Sequence, residues 1–252
     1  PPMDRKKARI VATIEARMSS SRLPGKVLLP LAGKPALERL VERARRSKYI
    51  DEVVVATTDS EKDLPVVEWA KKAGVAVFRG SEEDVLLRVL EAARAHRGEI
   101  IVELTGDCPL IDPGMIDELI ELYRNTDCDY VSNILLRTLP RGWDTQVFST
   151  ELLAEVDRRT QDPADRENVS LYIYEKLGRF KLGCVTAPPE LYGPEIRICT
   201  DLKEDYDVIA AIYDGLYPKN PAFTARDVMR FLKEHPEIAS KNAHIQQKKV
   251  RV

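Results

Sequence analysis

The chain has 252 residues, of which 44% are hydrophobic and 32% charged, and a formal net charge of -2. These values fit a globular chain forming one large domain, with or without a small appendage, and they give no global attraction to nucleic acid or to an anionic membrane. Four dispersed cysteines (Cys108, Cys128, Cys184, Cys199) without a C-x-x-C pair, and only three histidines, speak against a disulfide framework, a zinc site and histidine chemistry.

The β-branched run Ile10-Val11-Ala12-Thr13-Ile14 predicts a first strand over 8–14. It leads into Glu15-Ala16-Arg17-Met18-Ser19-Ser20-Ser21-Arg22-Leu23-Pro24-Gly25-Lys26, after which Leu37, Leu40, Val41 and Ala44 mark a helix over 35–48. Serine hydroxyls and turn amides are short donors, and Arg17, Arg22 and Lys26 add charge, so this stretch suits an anion with many oxygens, such as a triphosphate. P-loop spacing is absent, since Val27 follows the lysine. An ordinary basic surface loop is the plain alternative.

The run A-R-M-S-S-S-R-L-P-G-K-V-L at residues 16–28 resembles the signature of the SpsF-type cytidylyltransferases of spore-coat polysaccharide biosynthesis. That family is related to the cytidylyltransferases that activate sialic and octulosonic acids. The resemblance implies a glycosyltransferase-A-like nucleotide-binding fold and places Ala16, Arg17, Met18, Ser19, Arg22 and Lys26 around CTP. It also implies a homodimer built through a small protrusion.

Further strands are predicted at 52–57, 75–78 and 99–104, with helices at 62–73 and 82–96 between them. Continuous apolar strands alternating with helices predict a three-layer α/β/α sandwich with a mostly parallel sheet, whose ligands gather at the carboxyl ends of the strands. Ser81 is a plausible N-cap for the 82–96 helix, with Asp84 three residues on. By the resemblance, Thr57, Arg79 and Asp84 become candidates for reading the cytosine or its ribose.

The fourth strand runs into Thr105-Gly106-Asp107-Cys108-Pro109-Leu110-Ile111-Asp112-Pro113. Asp107, on a stiff turn straight after a buried strand, could hold Mg2+, which takes one or two carboxylates and completes its shell with phosphate oxygens and water. Asp112-Pro113 reads instead as the cap and first turn of a helix. A simple turn role remains the alternative for Asp107, and the resemblance favours the metal.

Downstream, Arg137, Arg141, Asp144 and Trp143 lie in a turn-rich stretch that could line a pocket for a small anion, with Trp143 as an apolar wall; a surface hairpin is the other possibility. The resemblance makes this the acceptor side, adds Arg166, and assigns dimerisation to residues about 137–186 of a single nucleotidyltransferase domain. A returning strand is predicted near 196–201, ending in Asp201, whose carboxylate could join Asp107 on one cation or merely cap the next helix.

Three departures from the family pattern stand out: Glu15 replaces a glutamine, Ser19 a glycine and Asn168 a histidine. No membrane-length apolar run occurs, no secretory leader pattern opens the chain, Pro1 and Pro2 read as a cloning scar, and the tail from Lys241 to Val252 reads as flexible. The expected protein is a cytoplasmic, Mg2+-dependent cytidylyltransferase acting on CTP and a small phosphorylated or acidic acceptor. A nucleotidyltransferase using another base with a sugar phosphate, or a non-catalytic nucleotide-binding scaffold, are the competing expectations.

Overall fold

The structure is a computed structural model that describes residues 2–176 and 178–250. Pro1 of the expected scar, the last two residues of the expected flexible tail, and Leu177 within the 137–186 segment lie outside the described residues.

The strands are β1 (Ile10–Glu15), β2 (Pro30–Leu31), β3 (Lys34–Pro35), β4 (Glu52–Thr58), β5 (Ala76–Gly80), β6 (Ile100–Thr105), β7 (Tyr130–Ser132), β8 (Gln146–Ser149) and β9 (Leu182–Cys184). Seven of them form one sheet in the order β5-β4-β1-β6-β8-β7-β9, while β2 and β3 make a separate ribbon. β4, β1 and β6 run parallel, as do β5 with β4 and β9 with β7; β8 runs against both β6 and β7. The expected mostly parallel sheet is therefore present, with one reversed strand beyond β6.

The α-helices are α1 (Ala36–Ala44), α2 (Leu64–Ala73), α3 (Val85–Ala95), α4 (Pro113–Asn125), α5 (Thr150–Arg159), α6 (Pro163–Glu167), α7 (Leu171–Glu175), α8 (Lys203–Leu216), α9 (Ala225–Glu234) and α10 (Pro236–Ala239). Ile10, Ala12 and Ile14 of β1 pack with Leu37 and Leu40 of α1, Val66 of α2 and Ile116 and Ile120 of α4. Val11 faces the other side, towards Ala92 of α3, and Ile101 of β6 joins Leu90 and Leu153 there. Burial on both faces is why β1 reads as an unbroken apolar run with no polar alternation. The result is the predicted three-layer sandwich.

A second core forms where α8 and α9 close over Leu110, Leu139, Trp143 and Ile198. Trp143 is fully buried and its indole N–H donates to the Leu110 carbonyl at 2.9 Å. It is a packing residue with its one polar atom satisfied, not the wall of an open pocket.

Two local expectations change. Asp84, not Ser81, caps α3: its carboxylate accepts from the Leu87 amide at 3.0 Å, and the Ser81 hydroxyl accepts from the Asp84 amide. Residues 196–201 form no strand, because their only ladder contact is a single bridge between Arg141 and Arg197. Asp112 caps α4 as predicted, accepting from the Met115 amide at 3.0 Å with Pro113 in the first turn.

Candidate active site

The basic stretch after β1 is a pinned crook rather than a free loop. The Met18 amide donates to Asp63 Oδ1 at 2.6 Å, and the Thr58 hydroxyl donates to the other oxygen of the same buried carboxylate. The Gly25 amide returns to the Met18 carbonyl at 2.9 Å, and Gly25 adopts a left-handed φ of 69°, which lets the chain turn straight into the 3-10 turn of Lys26–Leu28. Asp63 was not singled out from the sequence; its only cue is its place three residues after Ser60, ahead of a helix. Asp63→Ala leaves the Met18 amide and the Thr58 hydroxyl without their acceptor, and should lower stability by about 1–3 kcal/mol. Denaturant melts check this; an unchanged midpoint would contradict a pinned crook.

The crook forms one wall of a cleft of about 950 Å³, with Ala16, Arg17, Ser19, Ser20, Ser21, Arg22 and Lys26 facing it. Thr105, Gly106 and Asp107, at the end of β6, also line it, as do Glu82, Glu83, Arg88, Glu167, Asn168 and Lys248. β1 and β6 end side by side, and a side chain at Gly106 would put its Cβ 2.7 Å from the Glu15 carbonyl oxygen. Only glycine lets the Asp107 turn sit this close to the crook.

Asp201 arrives from the other direction. The Thr200 amide donates to the Asp107 carbonyl at 2.7 Å, so the two aspartates share a neighbourhood although no strand carries the second. Lys26 Nζ lies 3.4 Å from Asp201 Oδ1, Arg22 Nη2 lies 3.9 Å from the same oxygen, and Arg197 Nη2 lies 3.3 Å from Oδ2. Asp201 does not cap the following helix, since Asp205 takes the Asp201 and Leu202 amides at 3.1 and 3.0 Å. Asp107 accepts from the Thr105 hydroxyl at 2.7 Å. Its carboxyl is raised above the usual range, chiefly by burial and also by the charge of Asp201, against the opposing pull of Lys26.

Two like charges in a poorly solvated corner fit a site for a hard cation. Among the described residues no group of three or more His, Cys, Asp or Glu is arranged to hold a metal ion. A cation here would therefore draw on the two carboxylates and fill its shell from bound oxygens, which is how Mg2+ is held in nucleotide sites.

Other predicted residues lie elsewhere. Met18 packs against the main core. Thr57 is fully buried in β4, and its hydroxyl has no hydrogen-bond partner among the described residues. Arg79 bonds the Thr58 and Ser60 carbonyls at 3.0 and 2.9 Å, and Asp84 is held by Arg166 at 2.7 Å besides capping α3. None of Thr57, Arg79 and Asp84 lines the cleft. Arg166 also pairs with Asp157 at 2.7 Å, so it straps α6 to α3 and α5 and leaves the cleft wall to its neighbours Glu167 and Asn168. Arg137 makes a fork to both Asp144 oxygens at 2.6 and 2.9 Å, while the backbone of Arg141 pairs with Ile196 and Ile198.

In the cleft wall, half-buried Glu15 lies against the buried carboxyl group of Glu103. Burial pushes Glu103 up to about 7, and Glu15 rises well above the ordinary range through burial and then the charge of Glu103. Gln146 Nε2 donates to Glu103 at 3.3 Å, and the side-chain oxygen of Gln146 accepts from the Tyr130 and Ser170 hydroxyls. The folded state thus keeps a proton that the unfolded chain, titrating near 4.5, has released. The contribution of Glu103 to stability must therefore fall as pH rises from about 4.5 to about 7, and the raised Glu15 carboxyl adds a loss of the same sign. Glu103→Gln keeps shape and donor capacity without a titrating group. Melting temperatures across this range should decline less in the variant, and identical profiles would contradict a protonated pair.

A family model described as Cytidylyltransferase matches residues 11–248. The spore coat polysaccharide biosynthesis protein SpsF of Bacillus subtilis is 34% identical over 236 residues, covering 92% of this chain and 97% of that protein. A solved cytidylyltransferase from Leptospira borgpetersenii superposes with a TM-score of 0.86 at 34% identity, covering 96% of this chain and all of the other. A CMP:2-keto-3-deoxy-manno-octonic acid synthetase, solved with CTP, shares the fold with a TM-score of 0.63 at 22% identity, covering 82% of this chain and 99% of its own.

Proposed function

This chain belongs to the cytidylyltransferase family, and from that premise we propose that it moves CMP from CTP to a small phosphorylated or acidic acceptor and releases pyrophosphate. The observation that carries this reading is the Lys26–Asp201 contact of 3.4 Å beside Asp107, at the rim of a cleft walled by Arg17, three serines and Arg22. Arg17, Ser19, Ser20, Ser21 and Arg22 hold the phosphates of CTP. Lys26 lies where negative charge grows on the departing pyrophosphate and stabilises it by fixed electrostatics, which need no rearrangement as the bond breaks.

Mg2+ held by Asp107 and Asp201 would neutralise phosphate oxygens and align them. Arg137 occupies both oxygens of Asp144, the acceptor-side carboxylate we would assign as a base. An acceptor that arrives as an anion, already a nucleophile, fits that arrangement better than a hydroxyl that must first lose a proton. Arg141, on the same stretch, is the side chain we assign to meeting its charge.

A homodimer built through residues about 137–186, a cytoplasmic setting, and a product destined for polysaccharide or lipid precursor assembly belong to the same reading. Among the described residues no helix is long and apolar enough to cross a membrane. Pyrophosphate release should be measured for each nucleoside triphosphate against a panel of phosphorylated and acidic acceptors with Mg2+. Release with CTP alone is the expected result. Release with UTP or dTTP instead would overturn the choice of base, and none with any pair would leave a nucleotide-binding scaffold.

A further inference from the structure

The carboxyl-terminal segment is tied into the site. Arg197, 5% exposed, commits its guanidinium to three partners: Asp205 at 3.2 and 3.1 Å, Asp201 at 3.3 Å, and the side-chain oxygen of Gln247 at 2.6 Å. Buried Asn242 fixes the start of the segment, donating to the Arg197 carbonyl and to Asp205, both at 2.9 Å. One residue past Gln247, Lys248 stands in the wall of the cleft that also holds Arg17, Arg22 and Lys26. The hub that orients Asp201 therefore also anchors the segment bearing Lys248.

We infer that residues 242–248 form a strap that delivers Lys248 to the polyphosphate of the bound nucleotide, as a cation additional to those of the crook. The strap rests on reading the cleft as a polyphosphate site. Its charge is the right one: Lys248 is exposed, and Glu82, Glu83 and Glu167 line the same cleft, so an anion entering there gains from a further cation in its wall. A buried guanidinium as the anchor sets the strap apart from a tail held by surface contacts.

The test uses inorganic tripolyphosphate, which carries the charge of the nucleotide without its base. Calorimetric titration of the full chain should give measurable binding, and Lys248→Ala should weaken it by about fivefold, the scale of one solvent-exposed ion pair. Lys248→Arg should restore it. Lys249→Ala, which removes the next cation in sequence from outside the cleft wall, should change nothing, and a chain shortened by residues 246–252 should lose at least as much as Lys248→Ala. Equal binding by wild type and Lys248→Ala, or equal losses in the Lys248 and Lys249 variants, would overturn the strap while CTP turnover by wild type still upheld the proposed function. Conversely, weakened tripolyphosphate binding in Lys248→Ala with no CTP turnover in wild type would uphold the strap and defeat the cytidylyltransferase reading.

Discussion

Replacing Lys26 by alanine should lower the rate of pyrophosphate release from CTP by about 100- to 1000-fold, the usual loss when one preorganised charge is removed from a developing anion. Lys26 lies 3.4 Å from Asp201 and shares the cleft wall with Arg17 and Arg22. The neighbouring cations can keep the triphosphate bound, so kcat should fall more than KM rises. Steady-state kinetics with CTP as the varied substrate separates the two. A variant that turns over at the wild-type rate would remove Lys26 from the chemistry. One that loses only affinity would confine it to ground-state binding.

Asp107→Asn is the second large effect. The amide keeps the size of the carboxylate and can still meet the Thr105 hydroxyl, which lies 2.7 Å from Oδ1 in the native turn. It cannot supply the charge a divalent cation needs. Turnover should fall by about two to three orders of magnitude, as for loss of a principal electrostatic element, and the Mg2+ concentration for half-maximal rate should rise. Stability should move the other way. Burial already raises the Asp107 carboxyl and the charge of Asp201 raises it further, so the native state is relieved when that charge disappears. A melting temperature at or above wild type, with activity lost, distinguishes a functional charge from a structural one. Combining Asp107→Asn with Asp201→Asn should add little further loss, because two groups that serve one cation act as a unit.

What could be read from the sequence follows burial and periodicity. β1, β4, β5 and β6 lie within two residues of their predicted ends because strands covered on both faces are continuous apolar runs. β7 and β9 have three residues each, too short for any period to register. The crook was legible because its chemistry is local: three serines, three cations and a Pro-Gly pair within a dozen residues. Asp201 was expected beside Asp107 for a partly mistaken reason. No strand carries it, and it meets Asp107 because the Thr200 amide bonds the Asp107 carbonyl, a link of long sequence separation that no local pattern encodes.

The polar residues whose surroundings the sequence hides are those with distant partners. Asp84 and Arg166 look like free charges in a one-dimensional string, yet they pair across 82 residues. The same holds for Asp63 under Met18 and for Glu15 facing Glu103. Gln247 is an unremarkable tail residue until Arg197 is seen to reach it. Identity of residue type indicates what a side chain can do, but not which other side chain already occupies it.

The central expectation is a triphosphate seated between the crook and the two aspartates. A crystal structure of the chain with CTP, Mg2+ and a non-reactive acceptor analogue tests it most directly. It should find the phosphates over Arg17, Ser19, Ser20, Ser21, Arg22 and Lys26, with one cation bridging a phosphate oxygen to the carboxylates of Asp107 and Asp201. Nucleotide bound in another cleft, or a cation coordinated by neither aspartate, would contradict it.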